Sequence, residues 1–97
     1  MGRHHSIDRF LDSEGRLAMW PKKRSDRSAL LAHLAALFEV GRTYKEREVN
    51  SVLNAAHIWN DAAFLRRMLY DAGLLDRAAD GSQYWRPAPT DAGREEP

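Results

Sequence analysis

Apolar side chains recur along this chain at two spacings, one helical and one alternating. Leu30, Leu31, Leu34, Leu37 and Phe38 fall at i, i+4 and i+7, with Ala29, Ala32, Ala35 and Ala36 adding helix propensity. Ser25 is placed to cap that helix, Asp26 to favour its positive end, and Gly41 to close it with a left-handed turn. A second stripe, Val49, Val52, Leu53 and Ala56, predicts a helix that follows a short extended element at residues 42–44. Glu46 and Glu48 occupy its first turn, where the macrodipole favours acids. The third stripe is Leu65, Met68, Leu69 and Ala72. Asn60 or Asp61 caps that helix and Gly73 stops it, leaving Ala62, Ala63, Arg66, Arg67 and Tyr70 for an outer face.

After Gly73 the helical period gives way to alternation around Asp80-Gly81, which predicts a hairpin pairing residues 74–78 with 83–86. At the other end, Ser6 caps a short helix carrying Ile7, Phe10 and Leu11, residues 12–15 turn, and residues 16–19 run extended into Trp20-Pro21. Trp20 and Trp85 are expected in the core, stacked where this extended piece meets the hairpin. Helix, short strand, helix, tight turn, helix, hairpin is the element order of a winged helix-turn-helix, an α+β fold. Residues 1–24 are then an N-terminal helix and extended arm, 25–87 the winged-helix domain, and 88–97 a polar, Pro/Gly-rich disordered tail.

The 97 residues suit one small domain with a single modest core. No cysteine is present, so disulfides and thiolate metal sites are excluded. No apolar run nears the ~20 residues that span a bilayer, and the start lacks a signal-peptide core. Fifteen Lys+Arg against fourteen Asp+Glu give +1, so attraction to DNA has to come from a local patch. The strongest basic run is Lys22, Lys23, Arg24 and Arg27, broken only by Asp26. It reads either as a solvated helix entrance or as a contact with phosphate or an acidic partner.

Four blocks, "FLDSEGRLAMWPKKR", "RTYKEREVNSVL", "DAAFLRRMLYDAGLLDR" and "DGSQYWR", resemble an uncharacterised bacterial family of the domain-of-unknown-function kind. Its members follow F-L-D-x-x-G-R-L-x-x-W-P, Y-x-E-x-E-V-N, L-R-R and D-G-x-x-Y-W-R. The resemblance implies a regulatory role, because such domains keep company with helix-turn-helix transcriptional regulators, and, the family being bacterial, a cytoplasmic location. This chain departs from the pattern at Lys45, where Ser or Thr is common, and in the longer link "HIWND".

Catalysis has no visible machinery: there is no Gly-rich phosphate loop and no histidine pair at i, i+4, and His57 near Asn60 and Asp61 reads as a helix-terminus residue. Neither an enzyme, a metal site nor a cofactor is expected. DNA binding has better material. Asn60, Ala63, Arg66, Arg67 and Tyr70 lie on or beside the third helix (about 61–72), the expected recognition helix, with Lys45 and Arg77 flanking it. Arg66 or Arg67 is equally suited to pair with an acid such as Glu48 or Asp76. Trp59 in the link, if exposed, marks a protein interface. Two readings follow: a DNA-binding domain of a bacterial regulator, acting on duplex DNA as a homodimer, or a winged-helix module for dimerisation or docking on transcription or translation machinery, without DNA binding.

Overall fold

In the computed structural model, which describes residues 7–88, a 3-10 helix (Asp8–Phe10) precedes α1 (Arg24–Ala35), β1 (Thr43–Tyr44), α2 (Glu46–Asn54), α3 (Ala62–Asp71), β2 (Asp76–Arg77) and β3 (Tyr84–Trp85). The expected Ser6 cap and, beyond Ala88, the expected tail lie outside the described residues. The strands form one antiparallel sheet in the order β1-β3-β2. Tyr84 therefore faces Tyr44 on one side and Arg77 on the other. Three helices and this small sheet make an α+β fold.

Both ends of α3 have identifiable causes. Its first turn is held by Asp61, whose Oδ1 accepts the Phe64 N–H at 3.1 Å. At its last turn, Gly73 takes φ +78°, Gly73 N–H donates to Tyr70 O and Leu74 N–H to Leu69 O. That pair of bonds is a Schellman closure, and it points the chain back toward the sheet. The start of α2 is held by Glu48, whose Oε1 accepts the Lys45 N–H at 2.7 Å. This is the reciprocal half of a capping box, since a lysine side chain has nothing with which to accept.

The core draws on all three α-helices and on β1 and β3. Leu30 and Leu34 of α1, Val49 and Leu53 of α2, Leu65 and Leu69 of α3, then Leu75 and Tyr84, are all buried. Burying each leucine contributes about 1.5–3 kcal/mol. Phe10 and Leu17 of the N-terminal arm belong to the same cluster.

Several expectations fail for local reasons. Ser25 does not cap α1: the helix begins at Arg24, Lys23 is the residue before it, and Arg27 Nε ties the first turn to Pro21 O at 2.7 Å. Asp26 does lie in the first turn, but buried, where it meets Arg9 at 3.0 Å. Leu37 is not in the stripe. Past Ala35 the chain tightens, Leu37 N–H bonding to Leu34 O and Phe38 N–H to Ala35 O. The shorter period swings Phe38 inward, edge-on to Tyr44 at 5.1 Å, and leaves Leu37 45% exposed. Gly41, at φ +87°, turns the chain ahead of β1 and is not the cap of α1, whose C-cap is Ala36. Ala62 is buried, since it shares the i, i+3, i+7 stripe of Leu65 and Leu69, whereas Ala72 is exposed at the helix end.

The arm also lies elsewhere than expected. Leu17 N–H donates to Ala56 O at 2.7 Å, and Ile58 N–H donates to Leu17 O at 3.0 Å, so the arm pairs with the α2–α3 link. Trp20 accordingly stands edge-on to Phe64 of α3, at 5.0 Å and 79°, and not against Trp85.

Two exposed turns carry an acid signature. Asp12 accepts the Arg16 and Glu14 N–H groups, and the Arg16 backbone bond is the largest cause holding its carboxyl below the ordinary 3.8. Asp80 is lowered likewise, first by the Ser82 hydroxyl and then by the Ser82 N–H. A lowered carboxyl stabilises the fold above its unfolded value and loses that contribution as pH falls through the folded one. The Arg16 and Ser82 amide shifts are therefore expected to titrate with midpoints below 3.8, with both turns fully formed at neutral pH. Midpoints at or above that value would show that these bonds do not hold the turns.

Candidate functional site

The outer surface of α3 carries exposed side chains with few partners. Asn60 sits just before it at φ +57°, a left-handed conformation that asparagine tolerates. Ala63, Arg67 and Tyr70 are exposed and spaced i, i+4 and i+7, so they form one stripe along the helix, with exposed Asn60 in the link ahead of it. The Arg67 side chain is 79% exposed and its one acidic neighbour, Asp71, is 3.6 Å away on the next turn. Exposed pairs of this kind contribute about 0–1 kcal/mol, so Arg67 is readily released to another anion.

Arg66 has a different job. Its guanidinium donates to Asn50 Oδ1, lies 3.9 Å from Glu46, and sits 5.9 Å from the centre of the Tyr84 ring. It is only 19% exposed and ties α3 to α2. The acid it meets is Glu46, not Glu48 or Asp76. Neighbouring residues on a helix point about 100° apart, which is why Arg66 turns inward while Arg67 turns out.

The hairpin adds Arg77, whose guanidinium stands 5.0 Å over the Tyr70 ring. Hydrogen bonds to Tyr70, and next to Tyr84, push its already high pKa further up. Lys45 and Arg47, exposed around the start of α2, line a shallow cleft with Ser82 and Gln83 of the hairpin tip. Arg47 escaped the sequence reading because nothing in its spacing separates it from any solvated helix arginine.

Lys22, Lys23 and Arg24 are exposed ahead of α1 and in its first turn. Arg27 reaches back to Pro21 and stands 5.8 Å over the Trp20 ring. Trp20, two residues ahead of this run, packs on Phe64 in the first turn of α3. Trp59 does not project as an open anchor. It is half-buried and edge-on to His57 at 4.9 Å, whereas its neighbour Ile58 is 50% exposed.

His57 itself is buried, its Nδ1 2.7 Å from Leu53 O and its Nε2 accepting the Asp61 N–H at 2.7 Å. Those partners place the hydrogen on Nδ1. The imidazole thus joins the end of α2 to the cap of α3 and fixes the angle at which α3 leaves the link. Among the described residues no group of three or more His, Cys, Asp or Glu gathers in a way that would hold a metal ion, and no helix is long and apolar enough to cross a membrane.

Residues 16–86 match the model of a family described as an uncharacterized protein conserved in bacteria (DUF2087), and the chain belongs to that family. No curated protein and no solved structure matches it.

Proposed function

We propose that this bacterial-family domain is a winged helix-turn-helix that binds duplex DNA, with α2 and α3 as the helix-turn-helix, α3 as the recognition helix and the β2–β3 hairpin as the wing. The observation that carries the reading is the exposed run of Asn60, Ala63 and Arg67, with Tyr70 at its far end beneath the Arg77 guanidinium. A convex helix edge with a releasable arginine and an asparagine suits base edges in the major groove. Phosphate contacts would come from Lys45, Arg47 and Arg77 on one flank and from Lys22, Lys23 and Arg24 on the other. With a net charge of +1, one domain binds weakly, and two copies on a two-fold site are the natural arrangement for a transcriptional regulator.

Arg67→Ala separates this reading from a structural one. Arg66→Ala removes the partner of Asn50 and Glu46 and so disturbs the fold, whereas Arg67 has only Asp71 to lose. Fluorescence anisotropy with mixed genomic fragments at two salt concentrations is expected to show affinity falling steeply with salt. Arg67→Ala should weaken it by about tenfold, in line with ~1–3 kcal/mol for a lost arginine contact. Absence of salt-dependent binding at low ionic strength would remove the reading.

A second reading, a winged-helix module that docks on protein, is favoured by the apolar side chains left open away from the stripe: Leu37 and Val40, each 45% exposed, and Ile58. Concentration-dependent self-association that Leu37→Asp abolishes, in a chain that ignores DNA, would favour it.

A further inference from the structure

α3 and the hairpin enclose a cleft of about 360 Å³ lined by Arg66, Arg67, Tyr70, Asp71, Arg77 and Tyr84. Three guanidiniums face one carboxylate there. Each guanidinium offers five N–H donors and no acceptor, so donors far outnumber the acceptors the cleft supplies. Asp71, the single acid, is held by Arg67 in an exposed pair that gives way easily. Arg66 is braced from behind by Asn50 and Glu46, and Arg77 lies across the Tyr70 ring. Two of the three cations are therefore already oriented before any ligand arrives, which lowers the ordering cost of binding. The tyrosine hydroxyls add neutral donors. Forked guanidinium donors match the oxygens of a phosphate group better than a point charge does.

We propose that this cleft is a phosphate seat, in which one phosphate group bridges Arg67 of the helix and Arg77 of the hairpin with Arg66 behind it. A backbone phosphodiester of a nucleic acid and a free phosphate ester both present anionic non-bridging oxygens to the guanidiniums, and the seat takes either. It does not depend on the duplex reading. At about 360 Å³ the cleft falls toward the small end of ligand sites, roughly 300–1,000 Å³, so it admits the phosphate and part of its substituent.

The test uses the full chain and two probes. Inorganic phosphate is titrated at fixed ionic strength while the arginine Nε–H signals are followed by NMR. Saturable shifts at Arg67 and Arg77 are expected, with affinity in Arg77→Gln reduced by about tenfold or more, as suits the loss of a charge-assisted bond. Arg67→Gln, on the exposed face of α3, keeps the test readable should Arg77→Gln disturb the hairpin. In parallel, the salt dependence of duplex binding is compared between wild type and Arg77→Gln, where the slope should fall by about one if a backbone phosphate occupies the cleft. Saturable phosphate binding with an unchanged slope, or with no duplex binding at all, upholds the seat and assigns it to a free phosphate ligand. Non-saturating shifts that ignore both variants overturn it, and a duplex affinity that is nonetheless salt-dependent would leave the DNA reading standing alone.

Discussion

Replacing His57 with alanine is expected to lower stability at neutral pH by about 2–4 kcal/mol, the range for a buried polar side chain that leaves its partners unsatisfied. The ring is 3% exposed and answers two backbone groups at once, the Leu53 carbonyl and the Asp61 N–H. Removing it leaves the Asp61 N–H without this partner and the Leu53 carbonyl with only the Ala56 N–H, and takes away the face against which Trp59 packs. The Asp61 N–H is the more expensive loss, because Asp61 is also the residue that caps α3 through Phe64. Glutamine at this position carries both a donor and an acceptor, so His57→Gln should lose less than His57→Ala. Urea unfolding of the three proteins checks the order. A loss under about 1 kcal/mol for alanine would mean that solvent already reaches these groups and that the imidazole does not hold the link.

The parts of this fold that were legible in the sequence are those whose cause is local. Asp61 four residues before Leu65, and Gly73 just past the stripe, bound α3 because the cap and the left-handed closure act within one helical turn. The hairpin was readable from Asp80-Gly81 for the same reason, with Gly81 at φ +75° in the turn. What escaped depends on partners far along the chain. Arg66 and Arg67 are equivalent by composition; the helical phase sets them about 100° apart, and Asn50 and Glu46, far along the chain, receive the one that turns inward. Leu37 looked like core because the helical period was extended through it, whereas the approach of Phe38 to Tyr44 tightens the last turn and expels it. Asn60, Ala63, Arg67 and Tyr70 are exposed, as an outer face requires, whereas Arg66 turns inward. Trp59 was singled out when its neighbour Ile58 is the exposed one, since apolar size alone says nothing about which of two adjacent side chains the link turns outward.

The most distant of these contacts carries the second large effect. Leu17→Ala is expected to cost about 2–5 kcal/mol, the usual range for emptying a fully buried leucine site. Leu17 is 0% exposed, yet it belongs to an arm with little regular structure of its own. Its backbone bonds to Ala56 and Ile58 survive the substitution, so the loss reports side-chain packing alone. Leu17 is also the bridge partner of His57. The arm and the imidazole therefore hold the same link, one from outside through the main chain and one from within. If so, the double substitution Leu17→Ala, His57→Ala should fall short of the summed single losses by about 0.5–3 kcal/mol, the coupling expected of residues in contact. Additivity within about 0.3–0.5 kcal/mol would instead make the arm an independent cover over a link that is already rigid. Strong coupling has a consequence for the stripe as well. The direction in which Asn60, Ala63, Arg67 and Tyr70 face is set by how the link delivers α3, so a loosened arm should weaken any ligand bound along that face even though no arm residue up to Leu17 lines it.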